Sequence, residues 1–352
     1  MNATRSEGTT AQLLRLCLGY FVFYVVTGVS VKYFQGSAAQ GFPGMNGTSY
    51  LLYNTIGGNL LCLGIVLGRR WYRSPGPLGA FDVFVLALSG ACTAVVIPAT
   101  TLLYSLPISV MVAMVIMRGS IIIVSRGVDA LLIAQKISHR RVYAEENLAV
   151  GFALTAVGMH LVGTEPGGFD FVANQTAVII LCSYIAAYAI RLYLMNWFKH
   201  RRAGRGALDE RTYFAWEQIA ATIVIAAVAT GIYLGTPDPG SGVLGDFHAA
   251  IDRPHPIWYA GVLSGVPFGL VAFFSVFLFL FRGRTATFAG LVNRMTSLVA
   301  GTVATLMSAV LFGGRWPETN DWASLVFIGA AVACLAQAER RRKAEVALVA
   351  TT

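Results

Sequence analysis

Charge is scarce in this chain. Only 12% of its 352 residues are Asp, Glu, Lys or Arg, about half the ~25% usual in soluble domains, while 56% are hydrophobic. That excludes an ordinary soluble fold, and the apolar runs reach the ~20 residues needed to cross a bilayer. Lysine is scarcer still, at 4 of the 26 basic residues; the arginine bias favours a GC-rich, bacterial source. Cysteines number five (Cys17, Cys62, Cys92, Cys182, Cys334), all inside apolar runs, so neither a disulfide framework nor metal-ligand spacing follows. Of five histidines, His139, His200, His248 and His255 fall in predicted loops and His160 stands alone. With no His, Cys or Ser constellation of catalytic form, no enzyme activity, metal or cofactor is expected.

The hydrophobic runs place spans at roughly 12–34, 50–68, 80–104, 108–134, 146–163, 176–198, 213–234, 257–281, 285–312 and 322–338. The first lacks a small-residue cleavage site and is expected to stay as a permanent helix. Short cytoplasmic loops collect Lys and Arg, and 19 of the 26 basic residues fall on one side of this map. They are Arg5, Arg15, Arg69, Arg70, Arg73, Lys136, Arg140, Arg141, Lys199, Arg201, Arg202, Arg205, Arg211, Arg282, Arg284 and 340–343. The other side carries only Arg253 and Arg315, beside Glu165, Asp170, Asp238, Asp246, Asp252 and Glu318. The expectation is an all-α membrane protein of ten helices with both termini cytoplasmic. The net charge of +9 is then a topology signal that needs no nucleic-acid partner, and the basic tail is expected to touch anionic headgroups.

The two halves echo each other. Tyr20, Tyr24, Tyr33 and Phe34 align with Tyr184, Tyr188, Trp197 and Phe198 at a constant offset of 164. Tyr50, Tyr53, Asn54 and Ile56 align with Tyr213, Trp216, Glu217 and Ile219; Leu88 to Gly90 repeat as Leu263 to Gly265; Arg118 and Ser120 pair with Arg294 and Thr296. Matches in chain order predict a cytoplasmic segment at 1–11, a five-helix repeat at 12–163, a linker at 164–175, a second repeat at 176–338 and a basic tail at 339–352. An odd helix number per repeat inverts the second against the first. Inverted repeats mark alternating-access transporters, with the substrate site at the repeat interface.

Charges within spans normally face a cavity or a partner, since each costs ~2.5–3.5 kcal/mol near a helix centre. Lys32, Arg118, Arg126, Arg191 and Arg294 are opposed only by Asp129 and Glu217, with Asp82 at the inner interface. Arg126 and Asp129 lie three apart and are expected to form a structural ion pair. Arg118 has no acid at helical spacing and sits ~16 Å beyond Pro107 at 1.5 Å per residue, near midplane. Arg294 reaches a similar depth from the other side. Both suit a bidentate anion contact; the alternative is that one of them neutralises Glu217. Lys32 is a further candidate contact; both Lys32 and Arg191 could instead snorkel, Lys32 at the outer end of its helix and Arg191 toward the cytoplasm.

Tyr50, Tyr53, Tyr213, Phe214 and Trp216, interleaved with Asn54, Glu217 and Gln218, put aromatic faces beside amide and carboxylate groups, which suits a flat polar ligand. An interfacial aromatic belt is the alternative, and the repeat-aligned Tyr24 and Tyr188 are further candidate contacts. Gly261, Gly265 and Gly269, four apart, predict close backbone approach. Pro267 and Pro98 are expected to kink their helices. The loop from Gly235 to Pro256 is assigned no chemistry.

The chain resembles the drug/metabolite transporter superfamily, which includes nucleotide-sugar transporters and EamA-type exporters, over about residues 12–338. G-L-V-N-R at Gly290 to Arg294 is similar to the G-A-L-N-K motif of Golgi nucleotide-sugar transporters, and N-R-M-T-S-L is close to the N-x-L-T-S-L pattern of EamA-type relatives. Y-F-A-W-E-Q at Tyr213 to Gln218 stands where that group carries F-Y-N-N, with Trp216 and Glu217 departing from it. The resemblance implies that Asn293 and Arg294 touch phosphate or sugar, and Trp216, Glu217 and Gln218 the opposite end.

The leading expectation is a secondary transporter of a small anionic or zwitterionic metabolite, a monomer or homodimer in the bacterial inner membrane, with the Golgi or ER membrane as alternative. Its runner-up is a proton-coupled exporter in which Glu217 titrates. From another class stands a non-transporting membrane scaffold or receptor, against which the retained midplane polar residues argue.

Overall fold

Each long apolar run becomes a helix, because a backbone in hydrocarbon must satisfy its own N–H and C=O groups. The computed structural model describes residues 9–73, 78–105, 110–138, 142–159, 174–201, 210–238, 240–313 and 316–351. The helices are α1 (Thr10–Phe34), α2 (Gly47–Gly68), α3 (Ala80–Ser105), α4 (Val110–Ala134), α5 (Ala144–Gly158), α6 (Gln175–Arg201), α7 (Glu210–Gly235), α8 (Val243–Asp252), α9 (Trp258–Leu263), α10 (Gly265–Phe279), α11 (Ala286–Phe312) and α12 (Thr319–Thr351). No strand occurs among the described residues. Most of the 164–175 linker, His139, His160, Pro107 and the charges Arg5, Arg140, Arg141, Glu165, Asp170, Arg202, Arg205 and Arg315 lie outside the described residues.

Caps mark the helix starts. Thr9 and Gln12 form a capping box on α1, Asn46 Oδ1 accepts from Ser49 N at 2.7 Å, and Thr285 Oγ accepts from Phe288 N at 3.0 Å; such contacts satisfy amides that a helix leaves unpaired.

Among the described residues, eight helices are long and apolar enough to cross a membrane, with α9 and α10 acting as one. The sequence map had ten. The two spans of that map not among the eight correspond to α4, which carries Arg118, Arg126 and Asp129, and α5, whose helix spans Ala144–Gly158 among the described residues. Leu14, Leu18, Leu60, Ile223, Leu234 and Val326 point outward and are exposed, as suits a lipid-facing surface rather than a water-facing one.

Proline position decides where a helix breaks. Pro267 cannot donate to Leu263, and the helix is interrupted at Ser264 between α9 and α10. Pro98 sits inside α3, whose helix continues past it without a break. Glycines set the closest crossing: a Cβ on Gly265 would strike the Asn54 carbonyl, and one on Gly269 would lie 2.7 Å from the Gly58 carbonyl. The Gly235 to Pro256 segment is more than a loop, since it holds amphipathic α8, docked by Tyr233 donating to Asp252 (2.6 Å).

The packing partners are α3 on α6 and α7, α10 on α1 and α2, α1 on α11, α4 on α6, and α5 on α12. At one end a polar network ties these together. Arg284 bonds Glu339 at 2.6 Å, Arg341 bonds Glu145 at 2.6 Å, and Thr285 donates to Glu146 at 2.6 Å. The basic segment expected as a lipid-touching tail therefore continues α12, and Arg341 and Arg342 turn to Glu145 and Glu339.

The expected Arg126–Asp129 ion pair does not form. Arg126 Nε donates to Asn147 (2.9 Å), while Asp129 accepts from the amides of Ala286 (2.8 Å) and Thr287 (2.6 Å) at the start of α11. Two unpaired helical amides aligned with the helix dipole hold a carboxylate in fixed geometry, whereas an i,i+3 pair needs two flexible side chains to meet.

Candidate functional site

A cavity of about 400 Å³ opens among α1, α2, α3, α4, α6, α10 and α11. It runs from Arg118, Arg191 and Arg294 toward Gln35, Gly47, Tyr50 and Leu51, at the end of the molecule that carries the α1–α2 connection. Toward the opposite end α4 packs on α11. A Cβ on Gly290 would lie 2.7 Å from Ser125 Oγ, so α4 and α11 meet there, one turn above the Asp129 contact. Tyr20 O–H donates to Asn293 Oδ1 (3.5 Å), and Asn293 Nδ2 donates to Ser275 Oγ (2.9 Å).

Of the sequence candidates, Tyr24, Asn54, Arg118, Tyr188, Asn293 and Arg294 line this cavity. Arg118 and Arg294 have no carboxylate partner among the described residues. Arg294 instead faces the Tyr188 ring at 4.9 Å, a cation–π contact, and its Nε is buried without a hydrogen-bond partner. Four tyrosines, Tyr20, Tyr24, Tyr184 and Tyr188, surround these guanidinium groups, pairing at 5.5 and 5.6 Å between ring centroids.

Glu217 lies behind the wall. Its carboxylate takes Arg191 Nε at 2.8 Å and Nη2 at 3.2 Å, with the Ser89 hydroxyl at 2.7 Å and Thr93 Oγ at 3.3 Å. Tyr213 in turn donates to Ser89 at 2.6 Å. Neither Arg118 nor Arg294 neutralises this acid; Arg191 does, and it is buried rather than snorkelling. Residues 191 and 217 are 26 apart, so only the packing of α6 and α7 on α3 brings them together. An arginine and a glutamate both mid-span without a local partner were the available signal.

A matching trio stands on α2. Asn54 Nδ2 donates to the Tyr50 hydroxyl (3.2 Å) and to Ser264 Oγ (3.3 Å), at the break between α9 and α10.

The other candidates lie elsewhere. Tyr53 donates to the Ala250 carbonyl at 2.7 Å and accepts from His255 N at 3.2 Å, anchoring α8 and its following turn. Lys32 Nζ donates to Thr305 Oγ at 3.0 Å. Trp216 packs in the core formed by α3, α6 and α7, and buried Gln218 does not line the cavity. Tyr53, Trp216 and Gln218 lie off the cavity because helical rotation carries residues beside Asn54 and Glu217 in sequence to other faces, and Lys32, near the end of α1, reaches α11 instead. Among the described residues no cluster of His, Cys, Asp or Glu could hold a metal ion.

No family model and no curated protein matches the chain. Solved structures do resemble it. One superposes with a TM-score of 0.54 over 95% of this chain and 99% of that one, at 14% identity. At that identity the likeness concerns the fold alone.

Proposed function

We propose that this chain is a secondary transporter of the drug/metabolite transporter superfamily, built as ten spans in two inverted five-helix repeats, that moves a small anionic metabolite by alternating access. One observation carries the reading: Arg118 and Arg294 line the same cavity with no carboxylate partner among the described residues. Unpaired guanidinium groups in a membrane interior are costly unless an anion visits them.

The repeat is supported by the packing. The pairs α3 with α7 and α2 with α10 exchange under the proposed symmetry, as do α3 with α6 and α1 with α10, and α4 with α6 and α1 with α11. The Tyr213–Glu217–Ser89 trio answers the Tyr50–Asn54–Ser264 trio at positions that the sequence alignment pairs. With basic loops on the cytoplasmic side, the cavity faces outward. Glu217 is engaged by Arg191 and two hydroxyls behind the cavity wall, whereas Arg118 and Arg294 line the cavity itself.

The test is thermal stability of the purified protein against nucleotide sugars, phosphorylated sugars, carboxylates, amino acids and quaternary amines. A ligand at ~100 times its dissociation constant adds ~2.7 kcal/mol to the folded state. The expected result is stabilisation by anions that Arg294→Ala loses while remaining folded. Stabilisation by cations alone, retained in that variant, would overturn the reading.

A further inference from the structure

The cavity's three arginines are not equivalent. Arg118 and Arg294 carry uncancelled charge, whereas Arg191 is fixed to Glu217 through Nε and Nη2. Its remaining terminal nitrogen, Nη1, has no protein partner among the described residues, and the residue lines the cavity beside Thr93. The Tyr188 ring is shared: Arg191 lies 6.0 Å and Arg294 4.9 Å from its centroid. Glu217 is 1% exposed, so it acts on a ligand through Arg191 and through the field.

We propose that the Arg191–Glu217 pair sets how many negative charges the cavity accepts. Arg191 offers a ligand a hydrogen-bond donor whose charge Glu217 cancels. The wall of α4 and α11, with Arg118 and Arg294, supplies two positive charges that no carboxylate among the described residues balances. The favoured ligand then carries one compact dianionic group, such as a phosphate monoester, at that wall. Hydroxyl or carbonyl oxygens at its other end meet Arg191, Thr93 and Asn54. A second anionic group at that end would face an already neutralised arginine and the carboxylate behind it, and is disfavoured. The size agrees, since 400 Å³ equals the liquid volume of about thirteen waters at ~30 Å³ each, enough for a compact phosphorylated polyol. This rests on the cavity being the anion site proposed above.

The experiment compares dianionic inorganic phosphate with trianionic pyrophosphate by thermal stabilisation of the purified chain. It uses the wild type, Glu217→Gln, and the double variant Arg191→Gln with Glu217→Gln. Removing Glu217's charge should improve pyrophosphate relative to phosphate by at least tenfold in apparent dissociation constant, about 1.4 kcal/mol. The double variant restores the wild-type net charge and should restore the wild-type ratio, which keeps the test open if Glu217→Gln alone fails to fold. An unchanged ratio in a folded Glu217→Gln protein overturns the pair's role and leaves the anion site standing. A double variant whose preference departs tenfold from wild type also overturns it. No stabilisation of the wild type by either anion overturns the anion site together with the pair.

Discussion

Helices α2 and α7 each present a tyrosine and, four residues on, a hydrogen-bonding side chain to a serine followed by glycine. On α2 these are Tyr50, Asn54 and Ser264, and on α7 Tyr213, Glu217 and Ser89. In both, the glycine after the serine admits a main-chain carbonyl. Gly265 sits against Asn54 and Gly90 against Glu217, where a Cβ on Gly90 would lie 2.6 Å from the oxygen. One functional group separates the two sites. The amide of Asn54 is satisfied by neutral hydroxyls, and the helix it touches is broken at Ser264. The carboxylate of Glu217 draws Arg191 from α6 and Thr93 from an unbroken α3. One scaffold thus yields a neutral joint on one side and an ionic one on the other.

The comparison breaks most severely at the charge. Glu217→Leu leaves Arg191 buried and unpaired and should cost ~3–5 kcal/mol, read from thermal or denaturant unfolding in detergent. Adding Arg191→Met should recover most of that loss, and failure to recover would mean that the pair is not the dominant interaction. Next come the crossings. Gly265→Ala and Gly90→Ala each force backbones apart and should cost ~1–3 kcal/mol. Gly265→Ala should cost more, because its Cβ would come closer to the Asn54 carbonyl than one on Gly90 would to the Glu217 carbonyl; equal effects would argue that the break at Ser264 absorbs the strain. Smallest is the serine comparison. Ser264→Ala removes a neutral interhelical bond worth about 0.6 kcal/mol in membrane proteins. Ser89→Ala removes a donor to a carboxylate, a class worth ~1.5–3 kcal/mol, and should therefore exceed it.

The helices and the cavity's central arginines were legible in the sequence, because hydrophobic run length and unpaired mid-span charge depend on local composition. Pro267 announced the break at Ser264, since a missing amide acts within its own turn. What escaped needed tertiary contact. Asp129 was assigned to Arg126 by spacing, yet the amides of α11 outcompete a neighbour on the same helix. Arg191 found Glu217 only because α6 and α7 share α3 as a neighbour. Tyr53 looked like a ligand contact beside Asn54, but one position of helical rotation turns it to α8. Amphipathic α8 was hidden in a segment whose glycines and prolines read as loop.

Asp129 and its partner amide are separated by 157 residues. At ~5–20 residues per second during synthesis, that is a delay of about 8–30 s. Throughout it, the Asp129 carboxylate on α4 has its eventual partners on α11 still unmade, so the nascent chain holds an unmet acceptor. Biogenesis of this protein therefore leaves α4 waiting, chemically incomplete, for the start of α11 to arrive.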